Sequence, residues 1–298
     1  MTRIATALAT ILSLAFTPLA AQETNCDGWM TSDWEIAEPF WEVATPETVS
    51  GCLNSGSDLD ARDEYGLTPL QLAAKWNENP EVITALLDAG AAVSLRNVYG
   101  VTALHWAAKF NGNFEVLTVL LEAGADVNAE NRNGRRPLHF AAQGSEKPEF
   151  IRYLLEIGAD VDARDEGGMT PLYLAAGFNE NPEILRELLD AGANVNARNK
   201  DGDHPLHGAV RFHNNLDVLT VLLEAGADVD ARDQYTWTPL HIAATSSKNP
   251  DVVTLLLDAG ADGAALNDFL KTPFEAAKGN EALAGTDAYW ALNDARFK

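Results

Sequence analysis

Residues 100–133 read GVTALHWAAKFNGNFEVLTVLLEAGADVNAENRN, and variants of this stretch recur on both sides of it at a fixed spacing. The spacing is clearest in glycines that follow one another at intervals of 34 residues, namely Gly56, Gly90, Gly124, Gly158, Gly192, Gly226 and Gly260. A second set keeps the same interval: Gly66, Gly100, Gly134, Gly168 and Gly202. A constant period of this length predicts stacked repeats in which no single unit can bury its apolar face alone.

Each unit is predicted to contain two short helices and a projecting turn, which we call the finger. Thr102 precedes the first helix, where its hydroxyl can cap the backbone, and a proline usually takes the first helical position, as in Pro69, Pro171 and Pro239. The second helix opens with Asn-Pro-acid, as at residues 79–81, and ends at Ala-Gly, where Gly124 can adopt the left-handed cap conformation. The pattern therefore predicts an all-α repeat solenoid.

The run Thr238-Pro239-Leu240-His241-Ile242-Ala243 carries the motif by which this chain resembles the ankyrin-repeat family. The resemblance implies stacked helix-turn-helix ankyrin units with projecting β-hairpin-like fingers, in six full copies. One departure is regular, since the family period is about 33 residues and this chain uses 34. The additional residue is expected to lengthen the link between the two helices of a unit, at residues 109–113 in the second copy.

The period divides the chain into four segments: a signal peptide at 1–21, an N-terminal leader and capping half-repeat at 22–65, six ankyrin repeats at 66–269, and a C-terminal capping repeat at 270–298. The first segment begins Met1-Thr2-Arg3, continues with an apolar run and ends at Ala20-Ala21. This is the pattern of a secretory signal, and we predict cleavage after Ala21. The mature protein is therefore expected to be periplasmic or secreted.

Two cysteines, Cys26 and Cys52, lie near the amino terminus. Export would place them in a compartment where disulfides persist, so a Cys26–Cys52 bridge is expected. The alternative is two separate buried or reduced thiols, because sequence spacing alone does not establish the geometry that a bridge needs.

The charge of the chain argues against two classes of partner. The precursor has 21 Lys+Arg and 44 Asp+Glu, and loss of Arg3 with the signal leaves 20 − 44 = −24 in the mature chain. Such a balance opposes binding to nucleic acids and to anionic membranes. The apolar run at residues 4–16 is too short to span a bilayer, so no membrane insertion is expected after cleavage, and we expect a monomer.

Four histidines occupy the same position in different repeats: His105, His139, His207 and His241. With one per layer, they would lie about a helix spacing apart, too far to share a zinc ion, and the family resemblance implies structural hydrogen bonds for them. No nucleophile motif, phosphate loop or metal-ligand spacing accompanies them, so neither catalysis nor a cofactor or metal is predicted. An arginine column predicts pairing between repeats: Arg62, Arg96, Arg164, Arg198 and Arg232.

A partner-binding surface is predicted on the first three full repeats, because a particular partner is recognised by positions that differ between layers. It comprises finger residues, residues after the first helices and a basic group: Tyr65, Leu67, Tyr99, Val101, Trp76, Phe110, Arg132, Arg135 and Arg136. Exposed aromatic and apolar groups beside arginine match the composition of binding hot spots. Arg136 also replaces the capping threonine.

Two alternatives stay open for this surface. Trp76 and Phe110 could instead pack internally, while the arginines pair with nearby acids. The same uncertainty applies to the whole aromatic column after the first helices, which could be packed or exposed: Trp76, Phe110, Phe178 and Phe212.

The leading functional hypothesis is a non-enzymatic, exported protein–protein interaction scaffold that binds one partner through its finger tips and inner-helix face. One rival is a structural or protective protein without a single partner, and capture of a partner from the exporting compartment would separate the two. The other rival is an enzyme or a metal-binding protein. A pH-dependent activity lost on substitution of His204 or His213 would favour that reading.

Overall fold

The structure, a computed structural model, describes residues 26–30 and 33–297. The helices of these residues are α1 Trp34–Val43, α2 Pro46–Asn54, α3 Pro69–Trp76, α4 Pro80–Asp88, α5 Ala103–Phe110, α6 Phe114–Glu122, α7 Pro137–Gly144, α8 Pro148–Glu156, α9 Pro171–Phe178, α10 Pro182–Asp190, α11 Pro205–Phe212, α12 Leu216–Glu224, α13 Pro239–Ser246, α14 Pro250–Asp258, α15 Pro273–Ala276 and α16 Asp287–Ala295. No β-strand occurs in this part of the chain. The predicted signal peptide and its cleavage point lie outside the described residues.

The helices stack in two rows. Each odd-numbered helix packs against the next odd-numbered one, and each even-numbered helix packs against the next even-numbered one. We call the surface formed by the odd-numbered helices and the fingers the inner face. The predicted all-α repeat solenoid is confirmed, with one helix pair for each 34-residue unit from α3/α4 to α13/α14.

Helix boundaries follow the capping residues of the sequence pattern. The Thr68 hydroxyl accepts the backbone N–H of Gln71 at the start of α3, and the Gln71 side chain accepts the N–H of Thr68. Asn79 caps α4 by accepting the N–H of Glu81. These bonds satisfy N–H groups that the first turn of a helix leaves unpaired, so helices of only eight and nine residues begin at defined positions.

Glycines at the fingers permit a close approach between layers. Gly100 has a φ of 76°, and a Cβ at this position would lie 2.9 Å from the backbone nitrogen of Arg132 in the next finger. Thr236 and Leu270 replace glycine in the last two fingers and keep the left-handed conformation, with φ of 58° and 55°. A side chain is strained in this region because its Cβ crowds the following carbonyl.

The core is continuous from layer to layer. Paired alanines of the odd-numbered helices, such as Ala73 and Ala74, are completely buried, and their small size lets the neighbouring helix approach. The even-numbered helices contribute larger apolar groups, as α4 does with Val82, Ile83 and Leu86. Each layer covers the apolar surface of its neighbour, so stability depends on the contacts between adjacent repeats.

Backbone hydrogen bonds connect each finger to the next. The N–H of Val98 donates to the carbonyl of Tyr65 at 3.0 Å. Within a finger, one Asp or Asn accepts two backbone N–H groups, as Asn97 does from Tyr99 and Val101 at 2.9 Å each. The fingers are therefore tight turns held by side chains, rather than paired strands.

The arginine column joins successive fingers, as the sequence predicts. The guanidinium of Arg62 donates to the carbonyl of Arg96 at 2.7 Å, and Arg164 makes the equivalent bond to Arg198 at 2.7 Å. Arg232 bonds the carbonyl of Leu266 at 3.1 Å. Each bond spans one repeat period, which explains why arginine recurs at this position.

The link between the two helices of a unit contains a buried asparagine that bonds the preceding repeat. The Asn111 side chain donates to the carbonyls of Ala74 at 3.0 Å and Asn77 at 2.8 Å. Its oxygen accepts the N–H of Asn113 at 2.9 Å. The same pair of bonds to the preceding layer is made by three other side chains in the described part of the chain: Asn77, Asn179 and Asn280. The link is thus an ordered element that fastens one layer to the next.

The predicted disulfide lies within the amino-terminal cap, where the structure contains a bridge between Cys26 of the leader and Cys52 of α2. Trp29, three residues after Cys26, is buried and donates its indole N–H to the carbonyl of Asp58 at 3.0 Å. Its ring lies 5.4 Å from that of Trp41. The cap therefore covers the start of the core with large aromatic groups.

The carboxy-terminal cap departs from the repeat pattern. Thr272 caps the short helix α15, which continues into a 3₁₀ turn at Ala277–Gly279. Helix α16 then packs on α14 and buries Leu292. Trp290 and Phe297 lie exposed on the outside of this cap.

Candidate functional site

Two residues of the predicted surface point into the protein. Leu67 is only 2% exposed and Val101 only 4%, so the prediction that they face outward is wrong. The N–H of Val101 bonds the Asn97 side chain and its carbonyl accepts the N–H of Asn97. These two bonds fold the base of the finger back, which turns the side chain two places after the tip towards the helices.

The finger tips differ from one another. Tyr99 is exposed, whereas Tyr65 is half-buried and packs against the core. Tyr99 is therefore the more accessible of the two aromatic tips that the sequence singles out.

The predicted basic group is largely neutralised by neighbouring acids. Arg135 pairs with the buried Asp165 at 2.9 Å. Arg136 pairs with Glu130 at 2.9 Å and with Asp160 at 3.3 Å. The alternative that these arginines pair with nearby acids is thus correct for both of them, while the side chain of Arg132 is exposed.

Aromatic residues and a lysine lie together at the ends of α3 and α5. The ammonium of Lys75 is 4.3 Å from the ring centre of Trp76, 5.0 Å from Trp106 and 5.1 Å from Phe110. Trp106 and Phe110 stack with centres 5.7 Å apart. We call these four residues the lysine–aromatic cluster. Burial lowers the pKa of Lys75 to about 8, which reflects how far the rings and helices exclude water from its ammonium.

A second lysine extends this cluster along the inner face. The ammonium of Lys109 lies 5.2 Å from the ring centre of Phe110 and donates to Gln143 at 3.1 Å. Its alkyl chain crosses Gly144, where a Cβ would come within 2.8 Å of it. Desolvation lowers its pKa as well. Two ammonium groups and an aromatic surface therefore face outward on an otherwise acidic protein.

The aromatic column after the first helices is mostly exposed. Phe110, Phe178 and Phe212 are each at least two-fifths accessible, and only Trp76 is half-buried. Phe178 and Phe212 stack with ring centres 4.8 Å apart. The exposed alternative for this column therefore holds at three of its four positions.

Sequence reasoning missed Lys75, Trp106 and Lys109 as members of the surface. A signal was present, because Lys75 and Lys109 each follow a pair of alanines at the same repeat position, where other repeats carry different residues. Trp106 occupies a helix position that is fully buried in two other units, at Leu72 and Leu174. Only the packing shows that its ring reaches the edge of the inner face.

The histidine column is buried and structural. Nδ1 of His105 accepts the backbone N–H and the hydroxyl of Thr102, so Nε2 carries the proton and donates to the carbonyl of Arg135 at 3.1 Å. The bond to the next repeat recurs at His139, His207 and His241. Burial lowers the pKa of His105 to about 4. Both nitrogens of a neutral ring are occupied, as the predicted structural role requires.

Two further features concern metals and membranes. Within residues 26–30 and 33–297, no group of three or more His, Cys, Asp or Glu side chains is arranged to hold a metal ion. None of the helices that the structure describes is long and apolar enough to cross a membrane.

The family model for ankyrin repeats, described as three copies, matches the chain at residues 43–131, 111–199 and 175–267. This chain belongs to the ankyrin-repeat family. The match starts at the last residue of α1, so it takes in α2 of the capping half-repeat as well as the full repeats. A comparison with curated proteins gave no significant match. Ankyrin repeats indicate a protein–protein interaction scaffold, a class of proteins that is generally non-enzymatic.

Proposed function

We propose that this ankyrin-repeat protein is exported and holds a protein partner on the inner face of its first three full repeats. The observation that carries the proposal is the lysine–aromatic cluster of Lys75, Trp76, Trp106 and Phe110, which combines accessible ring surface with a cation. Rigid aromatic side chains lose little conformational entropy on binding, and such residues dominate the energy of protein interfaces.

The partner segment is expected to carry apolar and acidic groups side by side. Lys75 and Lys109 lie on rings at one end of the inner face, where burial lowers the pKa of each ammonium. A carboxylate brought between them would find two ammonium groups in a partly dehydrated environment, where a charge-assisted hydrogen bond is strong. Phe110 and Tyr99 supply exposed ring surface for the apolar part.

Export is supported by two independent observations. The first residues have the pattern of a secretory signal. The disulfide between Cys26 and Cys52 is of a kind that persists in oxidising compartments such as the periplasm or the extracellular space. Intact-mass measurement on protein collected outside the cytoplasm should give a chain that begins at Gln22, and a chain that retains Met1 would contradict export.

The binding face is tested with matched phenylalanine substitutions. Phe110 and Phe212 are both 49% exposed and occupy the same position in their repeats, so Phe110→Ala and Phe212→Ala remove equal surface. Capture of the partner from the exporting compartment should fall by about thirtyfold in Phe110→Ala, as for a hot-spot residue that contributes about 2 kcal/mol. It should be unchanged in Phe212→Ala, while both variants keep similar melting temperatures. Equal capture by both variants would exclude the first three repeats as the binding face.

A further inference from the structure

A cavity of about 390 Å³ opens on the inner face near the far end of the stack, between α11, α13 and the last two fingers. Its apolar walls are Tyr235, Trp237, Ile242 and Phe269. It lies five repeat periods along the chain from the finger of Tyr65. The volume falls within the range of specific ligand pockets, which are mostly apolar with a few placed polar groups.

Asp233 and Arg211 line one end of this cavity, and a second carboxylate, Asp203, pairs with Arg211 from outside the lining. Arg211 is 3.1 Å from Oδ1 of Asp203 and 3.7 Å from Oδ2 of Asp233. Both carboxylate side chains are buried, and Asp203 also accepts the hydroxyl of Tyr173 at 3.4 Å. Arg211 is thus the shared partner of two acidic side chains, so its positive charge is offset and one carboxylate, Asp233, faces the cavity.

The two hydroxyl groups that line the cavity favour a ligand that donates hydrogen bonds. Thr245 donates its proton to the carbonyl of His241 at 2.8 Å, and Ser246 donates to the carbonyl of Ile242 at 2.9 Å. Because both hydroxyl protons already donate to carbonyls of α13, the Thr245 and Ser246 oxygens can only accept a hydrogen bond from a ligand.

The cavity is open because short side chains stand where the first full repeat has long ones. Thr245 and Ser246 occupy the positions of Lys75 and Trp76 in the first full repeat. There the larger side chains fill the surface, and the lysine ammonium rests on aromatic rings. In the sixth repeat the short side chains leave space beside an aromatic wall.

The edge of the cavity is strained. Thr236 and Leu270 directly follow the exposed tips Tyr235 and Phe269, and both adopt the left-handed conformation that glycine takes in the other fingers. Strained residues persist where the surrounding structure imposes them, and they concentrate at binding sites. The three fingers directly before them have small or polar tips, so this aromatic pair is separated from the other aromatic tips, Tyr65 and Tyr99, by the tips Asn133, Gly167 and Asp201.

We propose that this cavity binds a lysine or arginine side chain from a basic segment of the protein partner. Aromatic faces attract cations through the ring quadrupole, and the adjacent acids outnumber their arginine. The formal net charge of −23 for the whole chain favours a basic partner segment in the same sense. The inference rests on the proposed function only in taking the occupant to belong to a protein, since the cavity lies on repeats remote from the lysine–aromatic cluster.

The test is a titration of the full mature chain with small probes, followed by NMR at the indole N–H of Trp237. The probes are the capped tripeptide acetyl-Gly-Lys-Gly-amide, its norleucine analogue, which has the same alkyl stem without the charge, and butylammonium. The lysine peptide should produce saturable shifts at Trp237. The norleucine peptide should bind at least about tenfold more weakly, as expected for loss of a charge-assisted contact.

Two variants link the binding to named groups. Asp233→Asn should weaken the lysine peptide by about tenfold, yet asparagine keeps the finger intact because it occupies this position in other repeats, as at Asn97 and Asn199. Asp63→Asn is the matched control, since Asp63 holds the same position far from the cavity, and it should leave binding unchanged. Trp237→Leu, which introduces the residue found at Leu67, should also reduce binding, followed in this variant at the backbone N–H of Thr245, which lines the cavity.

Three results would overturn the proposal. Equal binding of the lysine and norleucine peptides would show an apolar site. Absence of saturable shifts at Trp237 with the lysine peptide would show no site. Butylammonium binding without peptide binding would assign the cavity to a small organic cation. Because the titration uses no natural partner, its outcome is independent of the capture test on Phe110→Ala and Phe212→Ala.

Discussion

Substitution of Asn111 by alanine removes a side chain that bonds three backbone groups at the junction of the first two full repeats. Its Nδ2 donates to the carbonyls of Ala74 at 3.0 Å and Asn77 at 2.8 Å, and its Oδ1 accepts the N–H of Asn113 at 2.9 Å. The side chain is buried, so water does not readily replace it. At about 1 kcal/mol for each bond, with a further penalty for carbonyls left buried without a donor, the free energy of unfolding should fall by about 3 to 5 kcal/mol.

A serine variant separates the bonds that Asn111 makes to the preceding repeat from the bond that it makes within its own link. Serine occupies the same position at Ser145, where its hydroxyl oxygen accepts the N–H of Lys147 at 3.1 Å. Asn111→Ser should therefore keep the bond within the link and lose the two bonds to the preceding repeat, at a cost of about 2 kcal/mol.

Urea unfolding followed by far-ultraviolet circular dichroism measures both variants. Repeat arrays can unfold in parts. Faster hydrogen exchange at the ends of α3 and α5 should therefore show that the stability is lost at this junction. A loss below about 1 kcal/mol in Asn111→Ala, well under the sum of three hydrogen bonds, would refute the reasoning. So would equal stability of the alanine and serine variants.

Two further predictions concern protonation and strain. Lowering the pH from 7.5 to 5 should destabilise the protein, because burial holds the pKa of folded His105 at about 4 while the unfolded ring keeps an ordinary pKa of about 6.5. The unfolded chain takes up the proton first, so stability present above pH 6.5 is lost as the pH falls towards 4, and His105 alone accounts for about 2 kcal/mol at pH 5. His105→Gln, which places glutamine as at Gln71 in the preceding repeat, should flatten this part of the profile in urea titrations, and an unchanged profile would contradict the assignment. Leu270→Gly should raise the unfolding free energy by about 1 kcal/mol, because Leu270 is 76% exposed and holds a φ of 55° that strains any side chain. Thr236→Gly should gain less, since Thr236 also donates to Asp268 at 2.9 Å, and a lower melting temperature for Leu270→Gly would show that its side chain contributes contacts that outweigh the strain.

The helices and their caps could be predicted closely from the residues alone. Thr68 and Asn79 act through bonds to the backbone two or three residues away. Such capping depends only on residues that are close in the chain, so it can be recognised from the sequence. The structural roles of the histidine and arginine columns could also be predicted. A side chain repeated once per layer meets the same surroundings each time, so its role follows from the repeat.

The binding surface was only partly predictable. Tyr99 and Phe110 are exposed as expected, but Leu67 and Val101 are buried, because the backbone bonds of the finger decide which way the residue after the tip points. Arg135 pairs with Asp165 of the next finger, a partner 30 residues away that spacing alone does not select over other acids.

The sequence by itself determined the period, the helix boundaries, the family and the contacts that recur in every layer, because each of these depends on residues close in the chain or equivalent between repeats. Only the tertiary structure decided which differing residues share a surface. Lys75 meets Trp106 and Phe110 from the next repeat, and the cavity beside Trp237 joins groups from two successive units. Such sites depend on the sizes of side chains that different layers bring together. Thr245 is short and leaves an open space, whereas the longer Lys75 fills the equivalent position in the first full repeat.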